Sequence, residues 1–143
     1  MAYCEEAAAT LFHATETDPG VLECIVLKQL CSSLVATAAA MAEHSSSVAI
    51  SLLRVCCKSI RSRPHEALQQ LQNSTVILRV TQVLKNSSIK HEHELDTRAA
   101  DNLLMYSSMI LVSMAVELGD AVLQVGRCWL YHIHPLTCFC SHF

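Results

Sequence analysis

Apolar residues recur every three or four positions along most of the chain, which is the period of one face of an α-helix. The clearest case is the stretch 47–61, in which polar and basic residues occupy the opposite face. Its apolar face carries Val48, Leu52, Val55 and Cys56. The pattern predicts an amphipathic helix that is capped by Ser45-Ser46-Ser47 and ends before Pro64.

Breaks in the pattern divide the chain into about six predicted helices. Asp18 and Pro19 form a helix start, Pro64 interrupts the helix before it, and a polar connector runs from Asn86 to Leu95. The predicted helices cover residues 2–14, 19–43, 47–63, 66–72, 75–85 and 96–118. Residues 1–124 are interpreted as one helical domain and residues 125–143 as an irregular tail.

The composition supports an all-α fold. Hydrophobic residues make up 52% of the 143 positions, and only three glycines and three prolines punctuate the chain, too few for the turns of a β-sandwich or barrel. Aromatic residues make up 5% and the net charge is −3, which disfavours nucleic acid as a partner. No membrane span is expected, because Asp101 and Glu117 bound an apolar stretch shorter than about 20 residues.

The eight cysteines are interpreted as thiols of an intracellular protein. The first residues lack the basic region and apolar core of a secretory signal, so a cytoplasmic or nuclear location is expected. Four of the cysteines lie within apolar helical patterns, where a thiol acts as a small hydrophobe, and are predicted to pack in the core: Cys24, Cys31, Cys56 and Cys57 as a flank.

The sequence contains no assembled catalytic motif. It has no glycine-rich phosphate loop and no nucleophile elbow, and its three glycines are too scattered to form either. We therefore expect a non-enzymatic protein with no cofactor and no small-molecule substrate. The cluster His91-Glu92-His93-Glu94 is interpreted as a solvated connector, because it lacks the two-histidine helical spacing of zinc proteases.

Four basic residues form the candidate partner-binding patch: Arg54, Lys58, Arg61 and Arg63. Such a patch in a concave helical groove would hold an acidic peptide of a protein partner. The alternative is a solvated helix face with no binding role, and this alternative is favoured because charged helix faces usually serve that purpose.

The tail differs from the rest of the chain in composition. It contains the only tryptophan and six candidate metal ligands: Cys128, His132, His134, Cys138, Cys140 and His142. A zinc-binding tail is disfavoured because one residue between Cys138 and Cys140 is too tight for a zinc knuckle. Gln124-Val125-Gly126 also matches a splice donor that has been read through, so we hypothesise that the tail is the end of a splice isoform.

Residues 47–86 place a long helix, a proline break, a short helix and a medium helix in the order of an armadillo unit read out of phase. The segments that carry this resemblance are 51–57, 65–68, 76–80 and 83–85. Asn73 replaces the usual glycine and the connector is long, so HEAT-like stacking stays open. The resemblance implies an α-solenoid with a repeat of roughly 40–47 residues that binds protein partners.

The cysteine-, alanine- and leucine-rich segments 22–41 and 52–57 also resemble those of the vertebrate meiosis inhibitor family. That resemblance alone implies a role in meiotic chromosome events. The alternative to a solenoid is a small helical-bundle regulatory domain. Because solenoid units need neighbours to cover their apolar faces, we also expect self-association of this chain.

Overall fold

A computed structural model describes residues 2–72, 74–93 and 98–118 of the chain, and all regular structure within these ranges is helical. The all-α prediction is thereby confirmed, with seven helices in the described part rather than about six. They are α1 (Ala2–Thr17), α2 (Pro19–Leu27), α3 (Cys31–Met41), α4 (Ser46–Ser62), α5 (Pro64–Leu71), α6 (Ser74–His93) and α7 (Arg98–Leu118). Residues 119–124 and the predicted tail 125–143 lie outside the described residues.

Helix α4 lies at the centre of the described helices and contacts α1, α2, α3, α5 and α7. Its start follows from the predicted cap, since the Ser45 hydroxyl accepts the backbone N–H of Val48 at 3.4 Å and donates to Glu5 of α1 at 2.9 Å. Leu53, Val55 and Cys56 are almost completely buried. The helix ends at Ser62, before the Arg63-Pro64 pair, as the sequence predicts.

The single long helix predicted over residues 19–43 is wrong. The chain forms α2 and α3 instead, and the two axes are bent by 96° at the segment 28–30. Gln29 adopts a left-handed conformation with φ of 56°, and the N–H of Leu30 bonds to the carbonyl of Ile25 at 3.0 Å. Apolar residues keep the helical period across the corner, so the local pattern conceals the break.

The corner between α2 and α3 is bridged by a side chain from α5. Gln70 donates through Nε2 to the carbonyl of Val26 at 2.6 Å, and its Oε1 accepts the N–H of Cys31 at 3.2 Å. One amide thus satisfies a carbonyl at the end of α2 and an N–H at the start of α3. The bend is therefore a tertiary feature.

The polar connector predicted from Asn86 is also wrong at its start, because α6 continues to His93. Ser87 is buried, and Asn86 accepts from Gln82 at 2.9 Å and donates to Glu43 at 3.2 Å. These contacts keep Asn86 and Ser87 in a helix, although asparagine and serine often favour a turn. His91 and His93 accordingly belong to helical backbone and not to an extended segment.

Helix α7 packs against α6, α4 and α5. Leu103, Ile110 and Met114 lie on its inner face with at most 2% of their surface exposed. Ser107 lies between them, and its hydroxyl is the one buried side-chain polar atom among the described residues that has no hydrogen-bond partner. The inner face of α7 is therefore tightly covered by the helices already named.

Candidate interaction surfaces

Two members of the predicted basic patch lie against aromatic rings. The guanidinium carbon of Arg54 is 4.0 Å from the ring centroid of Phe12 in α1 and 5.9 Å from that of Tyr106 in α7. The ammonium of Lys58 is 4.4 Å from the Phe12 ring and 3.4 Å from a carboxylate oxygen of Glu16. Both cations therefore tie α4 to its neighbours through cation–π contacts.

A third member of the patch pairs with acidic residues on α2 and α5. Arg63 contacts Glu23 at 2.5 Å and Glu66 at 3.9 Å. The hydrogen bond that Arg63 donates to Glu23, together with the negative charge of Glu23, raises the pKa of the guanidinium above its ordinary value. Because these side chains are exposed and water screens their charges, each pair contributes little to stability.

Arg61, the fourth member, points elsewhere. Its side chain is exposed and lines a cavity of about 210 Å³ between α4 and α7, together with Cys57, Ile60, Met109 and Ser113. None of the ion pairs in the described part of the chain involves Arg61. The structure thus separates the predicted patch into three cations with internal contacts and one at the α4–α7 groove. The role of the four-residue basic patch in partner binding stays a prediction.

The thiol beside this cavity is a weak nucleophile. Burial raises the pKa of Cys57 to about 11, although the charge of Arg61 opposes the rise. The Cys57 thiol also lies 3.8 Å from the carbonyl oxygen of Tyr106, to which it can donate a weak hydrogen bond. Because the neutral thiol predominates at ordinary pH, Cys57 is poorly suited to nucleophilic chemistry.

The other cysteines follow the predicted core assignment with one correction. Cys31 and Cys56 are completely buried, and burial raises the pKa of Cys31 to about 11 and that of Cys56 well above its ordinary value. Cys24 was predicted in the core but is exposed, because α2 turns its other face, with Ile25 and Val26, toward α4.

The outer face of α7 is an exposed apolar surface that the hydrophobic pattern did not predict. Four large apolar side chains lie there in one row, which we name the α7 stripe: Met105 is 47% exposed, Met109 38%, Val112 44% and Val116 79%. Successive members are four, three and four residues apart, so they share one helix face. Contiguous exposed apolar surface is a feature that many protein and membrane interaction sites share.

The signal for the α7 stripe was present but ambiguous. Apolar residues surround α7 on nearly every side, so periodicity alone does not separate the buried face from the exposed one. Only the positions of α4 and α6 decide that Leu103, Ile110 and Met114 face inward. The sequence indicated that α7 packs against other helices, but it did not indicate which face of α7 is left exposed.

Helix α7 also meets the length and hydropathy of a membrane span over Arg98–Val116, with 33% of that window buried. Helices α2 and α3 meet the same criteria only as a pair, across their 96° bend. The buried share of α7 comes from packing against α4 and α6. The expectation that the chain has no membrane-spanning segment stays a prediction.

No group of three or more metal-ligating side chains occurs within the described ranges. The six candidate ligands of the tail, Cys128 to His142, lie outside them. Comparisons of the chain with protein-family models, with curated proteins and with solved structures found no match.

Proposed function

We propose that this chain is a non-enzymatic protein-interaction module built as an α-solenoid of armadillo or HEAT type. The order of helix lengths supports this architecture. Helices α2, α3 and α4 have 9, 11 and 17 residues, and α5, α6 and α7 have 8, 20 and 21. Each set runs from a short helix to a long one, and both short helices begin with proline.

The spacing of corresponding helices agrees with a helical repeat. Helices α2 and α5 begin 45 residues apart, at Pro19 and Pro64, and α3 and α6 begin 43 residues apart, at Cys31 and Ser74. Both intervals fall within the period of roughly 40–47 residues for armadillo and HEAT units. Helices α4 and α7 begin 52 residues apart, because α6 is longer than α3.

Contacts between corresponding helices support stacking of the two units. Helix α4 contacts α7, and α3 contacts α6, while α1 contacts α4 as the closing helix of a preceding unit would. In a solenoid each unit contacts its neighbours in this way and presents the remaining faces to partners. Because corresponding helices of the two units contact each other, the solenoid is favoured over a bundle closed around one axis.

The single observation that carries the binding role is the exposed α7 stripe beside the α4–α7 cavity. An amphipathic helix of a protein partner fits such a row, since apolar anchors at spacings of three and four residues are the pattern of helix-in-groove recognition. Arg61 at the cavity would pair with a carboxylate on that helix. Arg54, Lys58 and Arg63 have internal contacts and are assigned to holding the helices together.

Site-specific photo-crosslinking tests this proposal. The full chain would carry a photoreactive residue at Val112 or, as a matched control, at Leu78 of α6, because the two side chains are 44% and 40% exposed. We expect protein adducts at position 112 that are reduced by Arg61→Glu, and none above background at position 78. Equal adduct formation at the two positions would remove the α7 stripe from consideration as the binding surface.

Charge reversal of the other cations provides the second comparison. Arg54→Glu and Lys58→Glu disrupt contacts with Phe12 and Glu16, so they are expected to lower the unfolding midpoint while leaving the adducts at position 112 in place. If these variants stay folded and abolish the adducts, the groove around Arg54 and Lys58 is the partner site instead.

A further inference from the structure

The cavity between α4 and α7 has the size and lining of a site for a small organic molecule. Its volume is about 210 Å³, and an apolar cavity of roughly 150 Å³ accommodates benzene, so it has room for roughly eight or nine non-hydrogen atoms. Ile60 and Met109 supply apolar atoms to its walls. The cavity is open to the surface where the exposed side chains of Arg61 and Met109 lie. An apolar lining with a few polar groups is typical of small-ligand sites.

The other two residues of the lining carry no charge that would repel an anion. Burial raises the pKa of Cys57 to about 11, so this thiol is neutral at ordinary pH. The hydroxyl of Ser113 donates to the carbonyl of Met109 at 2.7 Å, which satisfies its proton within α7. Among the described residues that line the cavity, Arg61 alone is charged. The cavity thus presents one cation beside apolar walls.

The charge of Arg61 is directed at this cavity and not at an acidic neighbour among the described side chains. It lowers the pKa of Cys57 against the effect of burial, which places the guanidinium near the cavity wall. Helix α4 contains no acidic residue, and Arg61 takes part in none of the ion pairs between described residues. On α7, the acidic residue nearest in sequence to the lining is Glu117, four residues after Ser113.

We propose that the α4–α7 cavity binds a small apolar monocarboxylate, whose hydrocarbon body lies against Ile60 and Met109 and whose carboxylate pairs with Arg61. The planar guanidinium can bind both oxygens of a carboxylate, so it selects this group. A small polar anion leaves the apolar walls uncovered, and a neutral apolar molecule leaves the cation unused. The ligand and the partner helix would use the same cation, so the ligand would inhibit partner binding. This regulatory part rests on the proposed function.

Nuclear magnetic resonance of the full chain with isotope-labelled methionine methyl groups measures this binding at the cavity wall. Benzoate is the probe, the Met109 signal is the readout, and Met41 of α3 is the reference. We expect a saturable shift of Met109 with a dissociation constant in roughly the millimolar range, because the ligand has few atoms. Acetate lacks the apolar body and benzamide lacks the charge, so each is expected to bind about tenfold more weakly. Equal binding of acetate and benzoate overturns the apolar site.

Two substitutions separate the cation from the cavity. Arg61→Gln is expected to raise the dissociation constant of benzoate about tenfold and to leave that of benzamide unchanged. Arg79→Gln, at an exposed arginine of α6, is the matched control and leaves both constants unchanged. Ser113→Leu fills the cavity while the charge of Arg61 is kept, so it is expected to abolish the saturable shift. If Ser113→Leu binds benzoate as tightly as the unaltered chain, the anion lies on the outer surface and the cavity is not its site.

The carboxylate of Glu117 is tested in the same way. Glu117→Gln is expected to change the dissociation constant of benzoate by less than about threefold, because water screens charges at the surface. A tenfold gain in affinity would show that Glu117 pairs with Arg61 in the unaltered chain, which would overturn the role of Arg61 as the cation of this site. Circular dichroism of each variant, matched to that of the unaltered chain, confirms that the fold is retained.

The ligand site and the proposed function fail in different ways. Absence of a saturable Met109 shift, with photo-adducts at position 112 still formed, overturns the ligand site and leaves the interaction role intact. Saturable benzoate binding with equal adducts at positions 112 and 78 supports the ligand site and removes the α7 stripe as a partner surface. Where benzoate binds and the adducts are specific to position 112, saturating benzoate is expected to lower the adduct yield. An unchanged yield overturns the regulatory part.

Discussion

The corner between α2 and α3 depends on one amide, and Gln70→Ala removes it. The substitution deletes the donor to the Val26 carbonyl and the acceptor for the Cys31 N–H. Val26 keeps a bond from the N–H of Gln29 at 3.0 Å, so that loss costs about 1 kcal/mol. Cys31 is completely buried, and stranding its N–H costs roughly 1–2 kcal/mol more. The expected destabilisation is about 2–3 kcal/mol.

The adjacent residue supplies a matched control. Gln69 is exposed, and its amide nitrogen lies 3.3 Å from the Nε2 of His65 one helical turn away, so Gln69→Ala is expected to cost less than about 0.5 kcal/mol. Both substitutions replace glutamine with alanine in the same helix, which cancels the change in helix propensity. Urea unfolding followed by circular dichroism gives the free energy of unfolding for each variant.

The difference in stability between the two alanine variants shows whether the Gln70 amide holds the corner. If Gln70→Ala lies within about 0.5 kcal/mol of Gln69→Ala, the bridging amide does not hold the corner and the bend has another cause. An unchanged slope of free energy against urea concentration is also expected, because the exposed area on unfolding is the same.

Three further predictions concern the described helices, each measured by urea unfolding. Gln29→Gly should stabilise the fold by about 0.5–1 kcal/mol, because glycine adopts a φ of 56° without strain. Ser107→Ala should stabilise the fold by about 1 kcal/mol, because the buried hydroxyl of Ser107 has no hydrogen-bond partner. Ser59→Ala is the control and should stabilise the fold less, because the Ser59 hydroxyl donates to the carbonyl of Val55 at 2.9 Å. The raised thiol pKa values of Cys31 and Cys57, about 11 in the fold against 9.0, favour the native state below pH 9.0, so stability should fall as the pH rises toward 11; no fall would contradict their burial.

The helix boundaries that local chemistry determines were predicted well. Asp18 accepts the N–H of Gly20 at 2.9 Å at the start of α2, and Ser45 caps α4. Pro64 follows the end of α4 as predicted, and it also starts α5, two residues before the predicted start at residue 66, because its missing N–H costs nothing there. In each case the residues that define the boundary lie within one turn of it, so the sequence alone contains the necessary information.

The boundaries that failed depend on residues far away in sequence. The break after α2 is held by Gln70, which is 39 residues from Cys31 and 44 from Val26. The continuation of α6 past Asn86 is supported by Glu43, which is 43 residues away. Local periodicity has no access to such partners, so it joined α2 to α3 and ended α6 early.

The candidate site shows the same division between local and distant causes. The spacing of Arg54 and Lys58 correctly predicted that they share one face of α4. It could not predict that the ring of Phe12 covers that face. For α7, apolar residues on nearly every side predicted a need for cover without locating the exposed row. Tertiary packing therefore decides which predicted surface is available to a partner.

The polar side of α4 packs against other helices, whereas an apolar side of α7 is exposed, which is the opposite of what their compositions suggest. Cations on α4 lie between α1 and α7, where they hold helices together, while methionines and valines on α7 face outward. Substituting Arg54 is thus expected to lower mainly the stability of the fold, because its guanidinium contacts Phe12 and Tyr106. Substituting Val112, whose side chain is 44% exposed, changes the outer surface with little effect on the core. A binding experiment that compares these two positions therefore separates the surface that contacts a partner from the contacts that build the module.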